Sequence, residues 1–281
     1  MREGGLRTKG FTRESSEDFP LISIVMVTRN AAEHFRQALA SVCNQDYPNK
    51  EIVVVDGGST DATIDIIAEF SARIDYWISE PDKGIYDAMN KGILLSRGDW
   101  IGFKNADDWY TEDSLSVLAV CIREHPEVDV WYGNSYSVIQ ENPLKLAPYF
   151  TAHQNLGRNP GIDHRSSFVR SRAQKEFLFD LNFRLAADLD VFWRLKKSGG
   201  QFRHTGAFMA YKRFGGASDG THIEKETFQI NRRHGGIFYA IHAFLLNRFS
   251  FFIWQTGNLI LRFILGERMY YRFKSRRIKQ R

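Results

Sequence analysis

"IGFKNADDWY", Ile101–Tyr110, sets the problem that the rest of the chain has to answer. An apolar run, Trp100 to Phe103, stops at a lysine, and Asn105, Asp107 and Asp108 follow at once, ahead of two aromatic residues. The run has the length and composition of a buried strand. Two adjacent carboxylates at its end repel each other, so solvent, a helix N-terminus or a cation must offset them.

Upstream, "LISIVMVT" (Leu21–Thr28) is a β-branched run bounded by Pro20 and by Arg29-Asn30, a second buried strand. "AEHFRQALASVCNQ" places Phe35, Leu39 and Val42 on one helical face. "EIVVVDGGSTD" is a strand running into a glycine turn, where Asp61 can cap a helix carrying Ile64, Ile67 and Ala68. "DYWIS" and "GIYDAMNKGILLS" add a short strand and a helix. This alternation predicts an α/β domain with a mostly parallel sheet. Ligands of such sheets bind beyond the carboxyl ends of the strands, where Thr28, Asp56 and the Asn105–Asp108 cluster fall.

Downstream, "EDSLSVLAVCIREH" reads as a helix, with Asp108 or Asp113 as its cap, and "DVWYGNSYSVI" as a strand. Glu141 to Arg165 reads as loop-rich, "LAADLDVFWRLKKSGG" as a helix, and "FMAYKRF" as an edge strand. Residues 1–20 are expected to form a mobile lead-in, residues 21–216 the main domain and residues 217–281 a hydrophobic and basic helical region.

The 281 residues are 43% hydrophobic and 25% charged, the balance of a folded globular chain. The net charge of +5 gathers in the final "GERMYYRFKSRRIKQR", which argues against a global nucleic-acid footprint and for a local basic patch. Cys43 and Cys121 have neither disulfide-framework nor metal spacing and are expected as buried free thiols. From Gly235 the chain is dense in Phe, Ile and Leu, yet Asn247, Arg248, Gln255, Asn258 and Arg262 interrupt it before a spanning length is reached. Two readings remain open. A helix pair can lie in an anionic membrane interface, with Phe244, Leu245, Phe249, Phe252 and Ile253 on its apolar face. Alternatively, a hydrophobic hairpin can pack on the domain or on a second subunit.

Each polar residue has a plain reading beside a chemical one. Asp56 can hold its own turn, or accept from a ribose hydroxyl or a base N–H. The acidic cluster can be a solvated turn, or can bind Mg²⁺ or Mn²⁺ shared with a diphosphate. Asp188 and Asp190, two residues apart on a helix, point to different sides, so one can face a crevice while the other caps or pairs. His164 can be structural or functional, and Trp109 can fill the core under the loop or stack on a sugar.

In combination and order, "SIVMVTRN", "EIVVVDGGSTD", "SEPDKGIYDAMNKGILLSRGDWIGFKNADDWY" and "LAADLDVFWRLKKSG" resemble the family 2 glycosyltransferases, inverting enzymes of the GT-A fold, over roughly Pro20 to Gly216. The resemblance extends to bacterial enzymes of O-antigen, capsule and exopolysaccharide synthesis. It implies a nucleotide-diphosphate sugar donor, a UDP-sugar before others, held by Thr28, Asn30, Asp56, Asp82, Lys83, Asn105 and Asp107. It also implies a divalent cation, Mn²⁺ or Mg²⁺, on Asp107 with Asp108 in support, and Asp188 as general base, with His164 and Asp190 as further candidates. The expected acceptor is a lipid-linked or other glycan at the cytoplasmic face of the cell membrane, with no nucleic acid partner and homo-oligomerisation left open. Two departures stand out: Asn105 replaces the first Asp of the family's Asp-x-Asp, and Met89 replaces an Arg that many relatives carry. A sugar nucleotidyltransferase and a catalytically inactive GT-A-like membrane scaffold are the competing readings.

Overall fold

A computed structural model of the chain describes residues 1–141, 144–158, 161–213 and 223–249. The parallel centre of the sheet follows from the apolar runs. β2 (Ile22–Thr28) lies between β3 (Lys50–Asp56) and β5 (Trp100–Asn105), and β4 (Tyr76–Ser79) extends β3, all four parallel. Side chains alternate across a strand. Ile22, Ile24 and Met26 therefore pack with Phe35, Leu39 and Val42 of α1 (Ala32–Cys43) and Leu115 and Leu118 of α4 (Ser114–Glu124). Val25 and Val27 face the other way, with Tyr86, Met89 and Ile93 of α3 (Ile85–Leu95) and Val191 and Leu195 of α6 (Ala187–Lys197). Both faces are covered, which is why these strands read as continuous apolar runs. α3 approaches closely: a Cβ on Gly92 would collide with Val25.

The remaining elements extend the sheet on both sides. β9 (Ser167–Arg170) pairs antiparallel with both β5 and β7 (Val130–Glu141); β10 (Phe202–Arg213) runs parallel to β7. β6 (Trp109–Tyr110) closes that edge, so β10 is not the edge strand its sequence suggested. β8 (Leu144–Tyr149) pairs with β7 inside the segment expected to be loop. α2 (Thr63–Glu69) follows β3, and α5 (Ser171–Glu176) follows β9. Asp61 serves two helices: its carboxylate accepts from Thr63 N (3.0 Å) and from Ala32 N (3.1 Å). Asp113 occupies the N-cap position of α4 without a side-chain capping bond.

The N-terminal residues are docked, not a free lead-in. β1 (Arg2–Gly4) pairs antiparallel with β4, Arg7 forms an ion pair with buried Glu51, and Arg13 Nε bonds Asp75 Oδ1 at 2.6 Å. Cys43 is buried and Cys121 half-buried, both free. Residues 223–249 are helical and reverse at Gly236 (φ 83°) into two packed arms: Phe228 meets Phe244 and Arg248 lies 3.8 Å from Glu224. Ile230 and Asn231 of the first arm and Ala240 and Ala243 of the second are buried. No helix among the described residues is long and apolar enough to cross a membrane. The domain boundary expected at residue 216 lies outside the described residues, as do Phe252, Ile253, Gln255 and the basic tail.

Candidate active site

A cleft of about 360 Å³ opens at the carboxyl ends of β2 and β5. Thr28 ends β2 on its wall, with Oγ1 buried and unpartnered. Asp82 lines the adjoining wall and accepts from Gly84 N at 2.9 Å, at the start of α3. Its carboxylate lies so close to Gly57 that a Cβ there would collide with it.

Asn105 and Asp107 line the floor. Asn105 Nδ2 donates to Asp108 Oδ2 (3.2 Å) and lies 3.5 Å from His164 Nε2, while its Oδ1 is buried with no partner. Asp107 is half-buried; no side chain among the described residues bonds its carboxylate. Asp108 is 1% exposed and serves another purpose: it accepts from Arg213 N (3.2 Å) and lies 3.8 Å from Arg165 Nε. Burial pushes its carboxyl upward, and Arg165 opposes that shift. The repulsion implied by the adjacent carboxylates is therefore resolved by separation. Asp108 turns inward to a guanidinium, and Asp107 turns to the cleft.

Asp188, in the first turn of α6, stands behind two lining residues, Tyr86 and His164. Tyr86 donates its hydroxyl to Asp188 Oδ1 at 3.2 Å, and His164 Nδ1 lies 3.1 Å from Oδ2. The network assigns the proton to Nδ1, which donates to the carboxylate and leaves Nε2 to accept from Asn105. Burial pushes the Asp188 carboxyl up, but the hydrogen bond from His164, with the Leu189 N–H and the Arg165 charge, holds it below the usual carboxylate range. Asp188 is thus ionised at neutral pH. Its side chain is 21% exposed.

Four of the residues expected to be functional have structural partners here or lie off the cleft wall. Asp56 is fully buried, accepting from Gly58 N (3.1 Å), Ser59 N (2.9 Å) and Ser79 Oγ (2.7 Å). Asn30, at φ 48°, stitches two turns together by accepting from Thr60 N at 2.8 Å. Lys83 is exposed and off the wall. Asp190 faces away from the cleft, bonded to Arg194 Nε and His234 Nε2, both at 2.7 Å, and near Arg233. Trp109 stacks on Tyr211, with centroids 5.2 Å apart, so it fills space under the loop.

Sequence reading missed the basic residues of the cleft. Arg29, Arg165, Arg184, Lys212 and Arg213 line it against the carboxylates of Asp82, Asp107 and Asp108, a balance that favours a polyanionic ligand. These arginines are scattered along the chain and carry no periodic signal. Lys104 was also missed. It is fully buried beneath the floor, donating to Arg165 O (2.8 Å) with Nζ 3.6 Å from the Tyr110 ring centroid. Desolvation lowers its pKa to about 7, against the pull of Asp108 and Asp163.

Comparison with known proteins agrees with this geometry. The model of the family described as Glycosyl transferase family 2 matches residues 23–176. A PGL/p-HBAD biosynthesis glycosyltransferase of Mycobacterium bovis (strain BCG / Pasteur 1173P2) is 32% identical over 215 residues, 74% of this chain and 82% of that protein. The chain therefore belongs to glycosyl transferase family 2. Among solved structures, S. aureus TarS 1-349 in complex with UDP-GlcNAc aligns with a TM-score of 0.60 at 19% identity, covering 76% of this chain and 65% of that one. The mannosyltransferase PcManGT from Pyrobaculum calidifontis, in complex with GDP-Man and Mn²⁺, aligns at 0.57 and 18%, covering 82% and 68%. The shared fold is GT-A, as the sequence resemblance implied.

The buried lysine yields a test by pH. Its folded pKa of about 7 lies below the unfolded value, so the cost of burying its charge is fully present below pH 7. That cost is relieved as pH rises towards the unfolded lysine value of about 10.4. The unfolding free energy of the wild type minus that of Lys104→Met should therefore climb by about 1 kcal/mol per pH unit between about pH 7 and about pH 9.5. Urea titrations of both proteins across that range measure it; a flat difference would show that Lys104 is not held neutral.

Proposed function

We propose that this glycosyltransferase moves a sugar from a nucleotide-diphosphate sugar, a UDP-sugar first, to an acceptor hydroxyl by a single inverting displacement. The observation that carries the reading is the ionised Asp188 carboxylate, oriented by His164 and Tyr86 beside a basic cleft at the strand ends. An alcohol is a poor nucleophile at neutral pH. Asp188 takes its proton as the new bond forms, acting as general base. Arg29 and Arg184 line the cleft and would offset the charge the diphosphate gains on leaving. Holding donor and acceptor in line supplies much of the remaining acceleration.

The donor set suits a divalent cation shared with the substrate. Asp107 offers one carboxylate that no other side chain among the described residues bonds, and Asn105, also lining the cleft, has a buried Oδ1 with no hydrogen-bond partner among them. Mg²⁺ and Mn²⁺ are commonly held by one or two carboxylates plus phosphate oxygens. Among the described residues no cluster of three His, Cys, Asp or Glu completes a site, so the diphosphate would supply the other ligands. Such a cation, when bound, neutralises charge on the departing diphosphate. The Mn²⁺ and GDP-Man of the PcManGT structure support this reading.

For the acceptor we favour a lipid-linked glycan met at the cytoplasmic face of a bacterial membrane. Phe238, Ile241, Leu245 and Phe249 recur at helical spacing and are all exposed on the C-terminal helix. Of the face expected from sequence, Leu245 and Phe249 are exposed, Phe244 packs on Phe228, and Phe252 and Ile253 lie outside the described residues, while Phe238 and Ile241 extend the stripe. An apolar stripe continued by a basic tail suits an anionic bilayer interface.

Two experiments test these claims. Asp188→Asn keeps size and polarity but cannot take the proton, so turnover of a UDP-sugar should fall about a hundredfold while UDP binding stays within about twofold. Undiminished turnover would remove Asp188 from the role. The full chain should bind phosphatidylglycerol vesicles at low salt, and Phe238→Glu with Leu245→Glu should weaken that binding about tenfold or more. A chain that ignores the vesicles and forms a stable dimer in buffer would instead assign the stripe to a subunit interface.

A further inference from the structure

The loop that leads into α6 carries much of the cleft's far wall. Arg184 and Leu185 line the cleft, and Asp188 follows one residue into α6. Among the described residues nothing within the loop meets the N–H groups of Arg184, Leu185 and Ala186, and Ala186, the N-cap of α6, makes no side-chain capping bond. A residue some forty positions away meets them instead. Glu226, on the C-terminal helix, accepts from Arg184 N through Oε1 (3.0 Å), and from Leu185 N (2.8 Å) and Ala186 N (3.0 Å) through Oε2.

We propose that Glu226 is a positioning residue for the transfer reaction, holding the Arg184–Ala186 backbone so that Asp188 and the Arg184 side chain meet the substrates in register. The inference rests on the functional reading above. Three N–H groups on one carboxylate make a charge-assisted anchor, and a carboxylate at the N-terminal end of an eleven-residue helix is also favoured by the helix dipole. A second contact between the same helices, Asp190 to His234 at 2.7 Å with Arg233 at 3.4 Å, restrains the C-terminal helix from which Glu226 reaches. The arm before Gly236 thereby positions the site, while the arm after it carries the exposed apolar stripe. Displacing a reacting group by about 1 Å is enough to cost a hundredfold in rate, so the loss of this anchor should appear in turnover.

Glu226→Ala and Glu226→Gln in the full chain test it with three readouts. Amide hydrogen exchange follows residues 184–186; UDP serves as the binding probe; UDP-glucose and UDP-GlcNAc hydrolysis gives turnover. In Glu226→Ala, exchange at Arg184–Ala186 should accelerate about tenfold or more, with the sheet unchanged. Turnover should drop about tenfold or more while the UDP dissociation constant stays within about twofold. Glu226→Gln, which keeps one accepting oxygen, should recover most of the turnover. Unchanged exchange at these amides, or unchanged turnover in Glu226→Ala, would overturn the proposal. So would a parallel loss of turnover, UDP binding and exchange protection throughout the chain, which marks a purely structural residue. If the wild type neither binds UDP nor cleaves either donor, the functional reading fails, and the exchange result alone judges the anchor.

Discussion

The site depends on one buried guanidinium. Arg165 bonds Asp163 through Nε at 2.7 Å and lies 3.8 Å from Asp108, with its own side chain 13% exposed. Asp163 is itself buried, accepting also from Ser135 Oγ (2.8 Å), and its carboxyl is held far below the usual range: burial opposes ionisation, but Arg165 outweighs it. This arrangement ties the loop after β5 to the turn before β9, and His164 sits between the two acids' anchor and Asp188. Removing one member of a buried pair leaves the other charged and unpaired, at a cost of about 3–5 kcal/mol. Arg165 therefore fixes geometry more than it adds net stability. With it in place, Asp107 is free to face the cleft while Asp108 is not.

From that anchor the chemistry divides into two sides. The strand ends and α3 bring Thr28, Asp82 and Asn105 to the cleft, where a nucleotide and diphosphate would lie. The turn at His164 and the start of α6 bring Asp188, the proposed base. Asn105 touches both sides through its amide, and its neutrality suits that place. A carboxylate there would face Asp108 within hydrogen-bond distance and could offer no N–H to it or to His164. The departure from the family's Asp-x-Asp thus has a local physical reason.

The parallel half of the fold was legible in the sequence because both sheet faces are buried, which turns each strand into a run such as "ISIVMVT". The later strands were harder. β8 contains Pro148 and follows Asn142-Pro143 in sequence, and β10 is sheltered by a two-residue strand too short to show a pattern. Asp188 was singled out by the family resemblance and not by its helix position, and the structure sends Asp190 to the opposite side, as a two-residue offset requires. Asp56 was read from a strand end, where the same carboxylate that can meet a ribose can also close its own turn; the structure shows the second. Arg165, Lys104 and Glu226 were not legible, since the contacts of Arg165 with Asp108, Lys104 with Arg165 O and Glu226 with the Arg184–Ala186 backbone join residues tens of positions apart and exist only in the tertiary fold.

The account stands on direct displacement at the anomeric carbon with Asp188 as base, and the stereochemistry of the product tests it most directly. Once an accepted donor and acceptor pair is in hand, proton NMR of the freshly formed glycoside reads the anomeric configuration before it can mutarotate. Inversion relative to the α- or β-linked donor is the result predicted. Retention would require a second displacement or an internal return that this arrangement of Asp188, His164 and Tyr86 does not provide, and would contradict the mechanism.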